Sequence, residues 1–485
     1  MARSRSSHRP RALRSRLAYC GSLALLAGAC AVPQRERVLA DVQDAVHERL
    51  GADVDIEARP LRPEGIRELL QDEQMDADEA VRLAIANNPM LHAELAELEI
   101  ARAQIWQASL APNPVIDAQL RFAEAGGGDI LELGVAQSIV DVLLIPRRRQ
   151  VAAERLAQVE ARVTGAVLDL ATEVRANYRA LQADQQLVEL FEAATDAARL
   201  TLDATRRLRE AGNVIELELL QEQAVFEDAR LALTEARKNV RRHRENLNVL
   251  FGLSGPEGES WQVEGRMPEP APLSIEPAEL ERRVVTGSLD LEAGRRELTM
   301  LGHRLGLEQL SAAFPTGGVG VNGEREASES WIVGGNVSLS LPVFDFGQAV
   351  SAHVRAEIEQ AFHRLTDLAI RIRRSARDSL VASEVSGNNA RHLFDVVVPL
   401  RTRITQQTQE QFNAMQIGVF RVVDAKRAEL DAARRYIEEL KMHWIARSQL
   451  ESLLLGRLPA TRFGITGPGL GSVSAIAGAG GNGGH

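Results

Sequence analysis

Between Trp331 and Gln348 the chain changes its hydrophobic period. Trp331, Val333, Val337, Leu339 and Leu341 fall on one side of an alternating run, with Asn336, Ser338 and Ser340 on the other. After Leu341-Pro-Val-Phe-Asp-Phe-Gly347 a helical pattern begins, and no further proline occurs before Pro399. A two-faced strand thus feeds a very long helix around Pro342 and Gly347. A second change of this kind falls around Ile145-Pro146. Any fold for this chain must therefore join strands of one environment to rods of another, and do so twice.

The rods are read from spacing. Leu156, Val159, Val163, Val167, Leu170, Val174, Tyr178 and Leu181 recur at intervals of three and four, which predicts a coiled-coil-like seam. The pattern runs from Pro146-Arg-Arg-Arg149 to about Ala211, a rod of about 98 Å at about 1.5 Å per residue. Gly212-Asn213 breaks it, and a second helix runs from about Ile215 to Leu250. In the second half a helix is predicted from Gln348 to about Met415, bent or interrupted in register by Gly387 and Pro399. Gly418 turns the chain, and Phe420 to Leu455 run back. Each long pair is preceded by helix and strands. Asp76 opens a helix that Asn87-Asn88-Pro89 interrupts, and a helix from Pro277 to Ala313 takes the same place later. The predicted strands are Val115–Phe122 and Ile130–Val140, with glycines 126–128 between them, then Gly318–Asn322 and Trp331–Leu341. Gly212 matches Gly418 at an offset of 206, and Gly252 matches Gly456 at 204. The order of elements reads as an internal duplication.

The first thirty residues carry six arginines followed by an uncharged run, Leu17 to Ala29, too short to span a bilayer. The run ends in Leu26-Ala-Gly-Ala-Cys30, similar to a bacterial lipoprotein signal, with Cys30 the residue to be lipidated; an ordinary cleavable signal is the other reading. Cys20 and Cys30 are the only cysteines, so no disulfide framework follows. Formal net charge is −10, which argues against nucleic acid as a partner. Removing residues 1–29 takes away six arginines and no acid, leaving 51 basic and 67 acidic residues, a net charge of −16. An acidic, exported, cysteine-poor chain fits the periplasmic side of a Gram-negative envelope. No later stretch is apolar and long enough for a transmembrane helix, so a membrane-spanning role would fall to strands. The domains are read as signal peptide 1–29, lipidated leader 30–75, first repeat 76–252, linker 253–275, second repeat 276–458 and a disordered glycine-rich tail 459–485. Pro60 and Pro63 make the leader irregular, a strap along the body.

Four strands per chain cannot close a barrel around a lumen, and exposed strand edges are not tolerated in lipid. Several chains must contribute. Three would give about twelve strands, within the usual range.

The order of elements and the residues at their junctions resemble the TolC-type outer-membrane efflux channel family over about residues 76–458. The carriers are Asn88-Pro89, Leu341-Pro-Val-Phe-Asp-Phe-Gly347, the turn Gly418-Val-Phe-Arg-Val-Val-Asp-Ala425, and Leu454-Leu-Gly456. The resemblance implies a mostly α, mixed α/β membrane protein. It would be a homotrimer, whose twelve-stranded β-barrel in the outer membrane continues as a long α-helical barrel across the periplasm. It implies a passive exit duct for small molecules, drugs or metal ions, coupled through a periplasmic adaptor protein to an inner-membrane pump. Pro146, Pro342 and Gly347 would then lie where barrel becomes tunnel. Gly212, Asn213 and Gly418 would form the periplasmic tips that dock the adaptor, and Asp424, able to pair with Arg421, would sit near the constriction. A solvated helix face is the other reading of that pair.

The first junction departs from the pattern. Leu144-Ile-Pro-Arg-Arg-Arg-Gln150 lacks the glycine, and its arginines read either as a rim of charge or as a cap on the helix. The external loop Gly323–Ser330 is short and acidic; Phe122, Phe314, Trp331, Phe344 and Phe346 are the girdle candidates. The ten histidines are scattered without a His-x3-His pair, so neither a built-in metal site nor a cofactor is expected apart from the lipid. No catalytic constellation appears, and the chain reads as a non-enzyme. The competing reading is a periplasmic coiled-coil structural lipoprotein without a pore. It gives no role to the alternating strands. A pump adaptor would carry one helical hairpin rather than two.

Overall fold

The structure, a computed structural model, describes residues 34–51, 56, 65–66, 70, 74–122, 129–271, 275–326 and 329–459. The signal segment, Cys30, glycines 126–128 and the tail beyond Pro459 lie outside the described residues. The elements in order are α1 (Arg35–Leu50), β1 (Gln74–Met75), α2 (Ala77–Asn87), α3 (Pro89–Ser109), β2 (Val115–Arg121), β3 (Ile130–Ser138), α4 (Ile139–Glu210) and α5 (Glu216–Phe251). Then come α6 (Glu257–Ser260), β4 (Gln262–Val263), α7 (Pro277–Thr286), α8 (Leu289–Ala313), β5 (Gly317–Glu326), β6 (Ile332–Leu339), α9 (Gln348–His392), a π-turn (Leu393–Val397), α10 (Val398–Asn413) and α11 (Val419–Leu454).

Local chemistry sets the helix ends. Asp76 accepts from the amides of Asp78 and Glu79, at 2.8 and 2.7 Å, while Glu79 accepts from the amide of Asp76, a closed capping box for α2. Asn88 caps α3 by accepting from Leu91 at 2.9 Å, and Pro89 occupies the first turn, where its missing N–H costs nothing. At 72 residues, α4 is a rod of about 108 Å.

The eight seam residues of α4 are all buried, but not as a two-helix coiled coil. They form the centre of a core that also takes in α1, α2, α3, α5 and Trp261. Two expectations are corrected here. The leader is not irregular throughout: α1 buries Val38, Val42 and Val46 at a spacing of four and ends on Gly51 in the left-handed region. The predicted linker is packed. Trp261 is fully buried and donates to Asn248 at 2.9 Å, and β4 pairs in parallel with β1. Tyr178 joins them by donating to the Met75 carbonyl and accepting from the Glu264 amide.

In the second half the rod is interrupted where Pro399 requires it. Proline lacks the N–H and its ring crowds the carbonyl four residues back. The chain widens to a π-turn just before it, with Val398 N–H bonded to the Leu393 carbonyl. Gly387 does not interrupt the helix, which runs unbroken from Gln348 to His392; glycine is needed there because a Cβ would lie 2.8 Å from the ring of His443, buried on α11. His443 Nδ1 donates to the Ser383 carbonyl at 2.8 Å, and burial holds its pKa below the ordinary 6.5. The folded chain therefore resists the proton that the unfolded chain accepts. This contribution to stability is present above about pH 6.5 and is lost as pH falls below it. The His443→Gln variant is expected to show a flatter dependence of its melting temperature between about pH 7 and pH 5; an unchanged slope would exclude His443 as its source.

The four longer strands form one antiparallel sheet in the order β2-β3-β5-β6. β5 runs on to Glu326, so the external connection is shorter than expected. Among the described residues, β2 and β6 each have a partner on one side only. Among the described residues, no helix is long and apolar enough to cross a membrane.

Candidate channel wall and helical tips

The register gives the sheet two chemically distinct faces. Ile116, Leu133, Val135, Val321, Val319 and Val337 lie on one face, where cross-strand pairs such as Ile116 with Val135, Val135 with Val321 and Val319 with Val337 place apolar residues side by side. They are exposed, Ile116 at 75% and Val337 at 81%. The other face carries Asp117, Arg121, Glu132, Asn322 and Asn336 among small residues. Arg121 donates to Glu132 at 2.7 Å on this face. Gly134 and Gly320 leave room there for the side chains of Asp117 and Asn336. An apolar sheet face this exposed needs a cover that the described residues do not supply. Phe122, Phe314, Trp331, Phe344 and Phe346 are all exposed, Phe344 at 91%.

The two strand-to-helix junctions differ. At the second, Gly347 has φ +75°, and a Cβ there would lie 2.3 Å from that of Ala312 on α8. Only glycine fits both the conformation and the contact. Its N–H donates to Asp345 at 2.8 Å. Pro342 lies between β6 and α9, as expected. Pro146 does not lie between strand and helix. β3 ends at Ser138 and α4 begins at once, so Pro146 sits inside the helix. The cap there is a side-chain relay: Ser138 donates to Asp141 at 2.6 Å, and Arg148 closes an ion pair with the other oxygen of Asp141. Arg148 is thereby committed to the first turns of α4. The residues that replace the missing glycine are thus a serine, an aspartate and an arginine.

At the far ends of the rods the two turns share one hydrogen-bond pattern. In the first, Ala211, Gly212 and Asn213 donate to the carbonyls of Arg207, Arg209 and Leu208. In the second, Ala414, Met415 and Gln416 donate to those of Glu410, Phe412 and Gln411. The equivalence runs at an offset of 203, not 206. Gly212, at φ +78°, corresponds to Met415, at φ +60°, and Gly418 corresponds to Ile215 as the residue preceding the returning helix. Gly418 has an extended backbone and open space at its Cβ, so the turn itself does not require glycine there.

Asp424 does not pair with Arg421. Its partner is Arg427, at 3.7 Å, which also reaches Glu222 on α5 at 2.5 Å. Glu222 is buried and joins the first hairpin to the second near the tips. Further along the same seam Asp184, 2% exposed, holds His243 and Lys441, each at 2.6 Å. These two partners keep its carboxyl below the usual range against the opposing effect of burial. Neither pairing carries a local signal: Glu222 and Arg427 lie 205 residues apart in the chain, and Asp184 lies 59 from His243 and 257 from Lys441. Among the described residues there is no cluster of His, Cys, Asp and Glu able to hold a metal ion.

Residues 80–253 match the family model described as outer membrane efflux protein. No curated protein matches the chain. Among solved structures, it is similar to the outer membrane protein VceC from Vibrio cholerae, with 15% identity and a TM-score of 0.65 over 79% of this chain and 97% of that one. The Campylobacter jejuni CmeC outer membrane channel matches with 16% identity and a TM-score of 0.65, over 84% and 93%. The open state of the Neisseria gonorrhoeae MtrE outer membrane channel matches with 15% identity and a TM-score of 0.63, over 80% and 90%. At such identities the likeness is one of fold.

Proposed function

We propose that this chain, a TolC-type outer membrane efflux protein, is one of three identical subunits of a passive exit duct for small molecules, drugs or metal ions. The observation that carries the reading is the sheet, with one apolar and one polar face and both edges open. Neither its edges nor its exposed apolar face is acceptable alone in lipid. Three sheets joined β6 to β2 make a closed barrel of about twelve strands, with the apolar face toward lipid and the polar face lining the bore. The rods continue it across the periplasm as a helical tunnel, and the matching turns at Gly212 and Met415 are what an internal duplication produces. The tips at Gly212, Asn213 and Gly418 dock a periplasmic adaptor, which couples the duct to an inner-membrane pump. Cys30 carries the lipid that adds an anchor. A pore-free structural lipoprotein would have no use for a two-faced sheet.

The test is the particle in detergent. Three chains in an elongated particle that gives steady conductance in planar bilayers are expected; a monomer, a dimer or a globular particle would exclude the duct. Acyl label is expected on the wild-type chain and absent from Cys30→Ala, and labelling that persists would place the lipid elsewhere. At the tips the partly buried Glu222–Arg427 pair, with Glu222 buried, is the stronger constraint, and the exposed contact of Asp424 contributes little. Arg427→Ala is therefore expected to raise single-channel conductance severalfold, and Asp424→Ala to change it only slightly. The reverse order would place the constriction at Asp424.

A further inference from the structure

The joints that close the two halves share one geometry but differ in their donors: the second lacks the two asparagine amides of the first and has instead a bond from the Leu289 amide to the Gly456 carbonyl, at 2.9 Å, and a guanidinium from outside the repeat. In the first, the turn between α2 and α3 packs against the end of α5. Asn87 Nδ2 donates to the Phe251 carbonyl at 2.8 Å and Asn88 Nδ2 to that of Leu250 at 2.8 Å. These carbonyls end a helix and have no partner within it. Gly252 is left-handed, and a Cβ there would meet the Asn87 carbonyl at 2.6 Å.

In the second joint the turn between α7 and α8 packs against the end of α11. Ser288 takes the place of Asn88 as the cap, its hydroxyl accepting from the Leu291 amide as Asn88 accepts from Leu91. Gly456 takes the place of Gly252: it is left-handed, and a Cβ there would meet the Gly287 carbonyl at 2.4 Å. The residue in the place of Asn87 is Gly287, which has no side chain to donate. The carbonyl that corresponds to Phe251 is that of Leu455. It receives its hydrogen bond from Arg49, at the end of α1, whose Nη1 donates to Leu455 at 2.9 Å and to Gly287 at 2.8 Å. Gly456 also makes room for this group, since a Cβ there would lie 2.6 Å from Arg49 Nη1.

We infer that α1 is a clasp for the second half, with Arg49 supplying from outside the repeat the donor that Asn87 supplies from inside the first. The clasp bridges the whole chain. α1 rests its valines in the core around α4, and its last turn fastens a joint more than 230 residues away. The second joint is thus complete only when the N-terminal helix is seated, whereas the first completes itself.

The test is hydrogen exchange on the intact purified protein. Arg49→Met keeps the stem and removes the donors. The amides of Leu289, Gly456 and Arg457 are expected to exchange about tenfold faster or more, with those of Gly252 and Leu253 in the first joint unchanged. Adding Gly287→Asn to Arg49→Met is expected to restore slow exchange at the second joint, because the space vacated by the guanidinium receives an amide placed as in the first. Arg49→Lys, with one compact ammonium for two carbonyls, is expected to fall between wild type and Arg49→Met. Unchanged exchange at 289 and 456–457 in Arg49→Met would overturn the inference. So would equal acceleration at both joints, or failure of Gly287→Asn to restore the second.

Discussion

Replacing Val337 with arginine is expected to keep the chain out of the outer membrane, while replacing its neighbour Asn336 with arginine leaves assembly intact. The two residues are adjacent on β6 and point to opposite faces, Val337 beside Val319 and Asn336 beside Gly320. An arginine near the bilayer midplane of a barrel costs about 2–4 kcal/mol on the lipid side. In the proposed trimer three copies make the penalty threefold, comparable to the whole stability of an ordinary domain. On the bore side of the proposed barrel the same charge would remain in water. The measurement is the fraction of each variant that fractionates with outer membranes and migrates as an intact oligomer in mild detergent. Equal behaviour of the two variants would mean that the faces are wrongly assigned, whatever the number of subunits.

The second large effect is expected from Arg457→Met. Arg457 ends the second half and binds Asp169 of α4 through Nε and Nη2, at 3.0 and 2.6 Å, and it also pairs with Asp290 of α8. Gly165 keeps the space open, since a Cβ there would lie 2.7 Å from the guanidinium. Removing the cation leaves the mostly buried Asp290 uncompensated, a loss approaching the roughly 3–5 kcal/mol of a broken buried pair, while Asp169, at 40% exposure, is screened by solvent and adds little. Burial already pushes the Asp290 carboxyl above its usual range, and Arg457 opposes that shift. Without the arginine, Asp290 takes up a proton more readily in the folded chain, so the defect should shrink as pH falls from neutral toward the carboxylate range. The measurement is the denaturation midpoint across that range. Asp290→Asn in the same chain should recover part of the loss at neutral pH. A defect independent of pH and untouched by Asp290→Asn would show that Arg457 acts through packing alone.

Several elements were legible because their signal is local. The capping box at Asp76, the elbow at Asn88-Pro89 and the α4 seam follow from spacing and end residues within one turn or a few. The sheet faces also follow, because a strand alternates with a period of two and the register conserves it across neighbours. The glycine at 347 announced itself, although its reason, the close approach of α8, did not. Other features were hidden. Leader residues 35–50 lie beside prolines that end any helix, and only their three valines, read at a spacing of four, betray α1. The segment 253–275 looked like a linker because it is rich in proline and glycine, yet Trp261 anchors part of it. At the tips, glycine drew the eye to Gly418, while the left-handed position of that turn is held by Met415.

By itself the sequence determined the periods: which residues share a face, where most rods and strands begin and end, though not the start of α4 at Ile139 or the break between α7 and α8, and that the order of elements reads as a repeat. These depend on neighbours three or four apart in a helix and two apart in a strand. Only the tertiary structure decided the pairings across the chain. Arg427 chose Glu222 and Asp424 over the Arg421–Asp424 contact, Asp184 gathered a histidine and a lysine from two other helices, and Arg49 reached a joint that its own repeat does not contain. A charged side chain carries no periodic signal for its partner. With 57 basic and 67 acidic residues, many pairings are compatible with the pattern. The helices must be packed before burial makes some of them matter, because an exposed ion pair contributes little and a buried one cannot lose a partner cheaply.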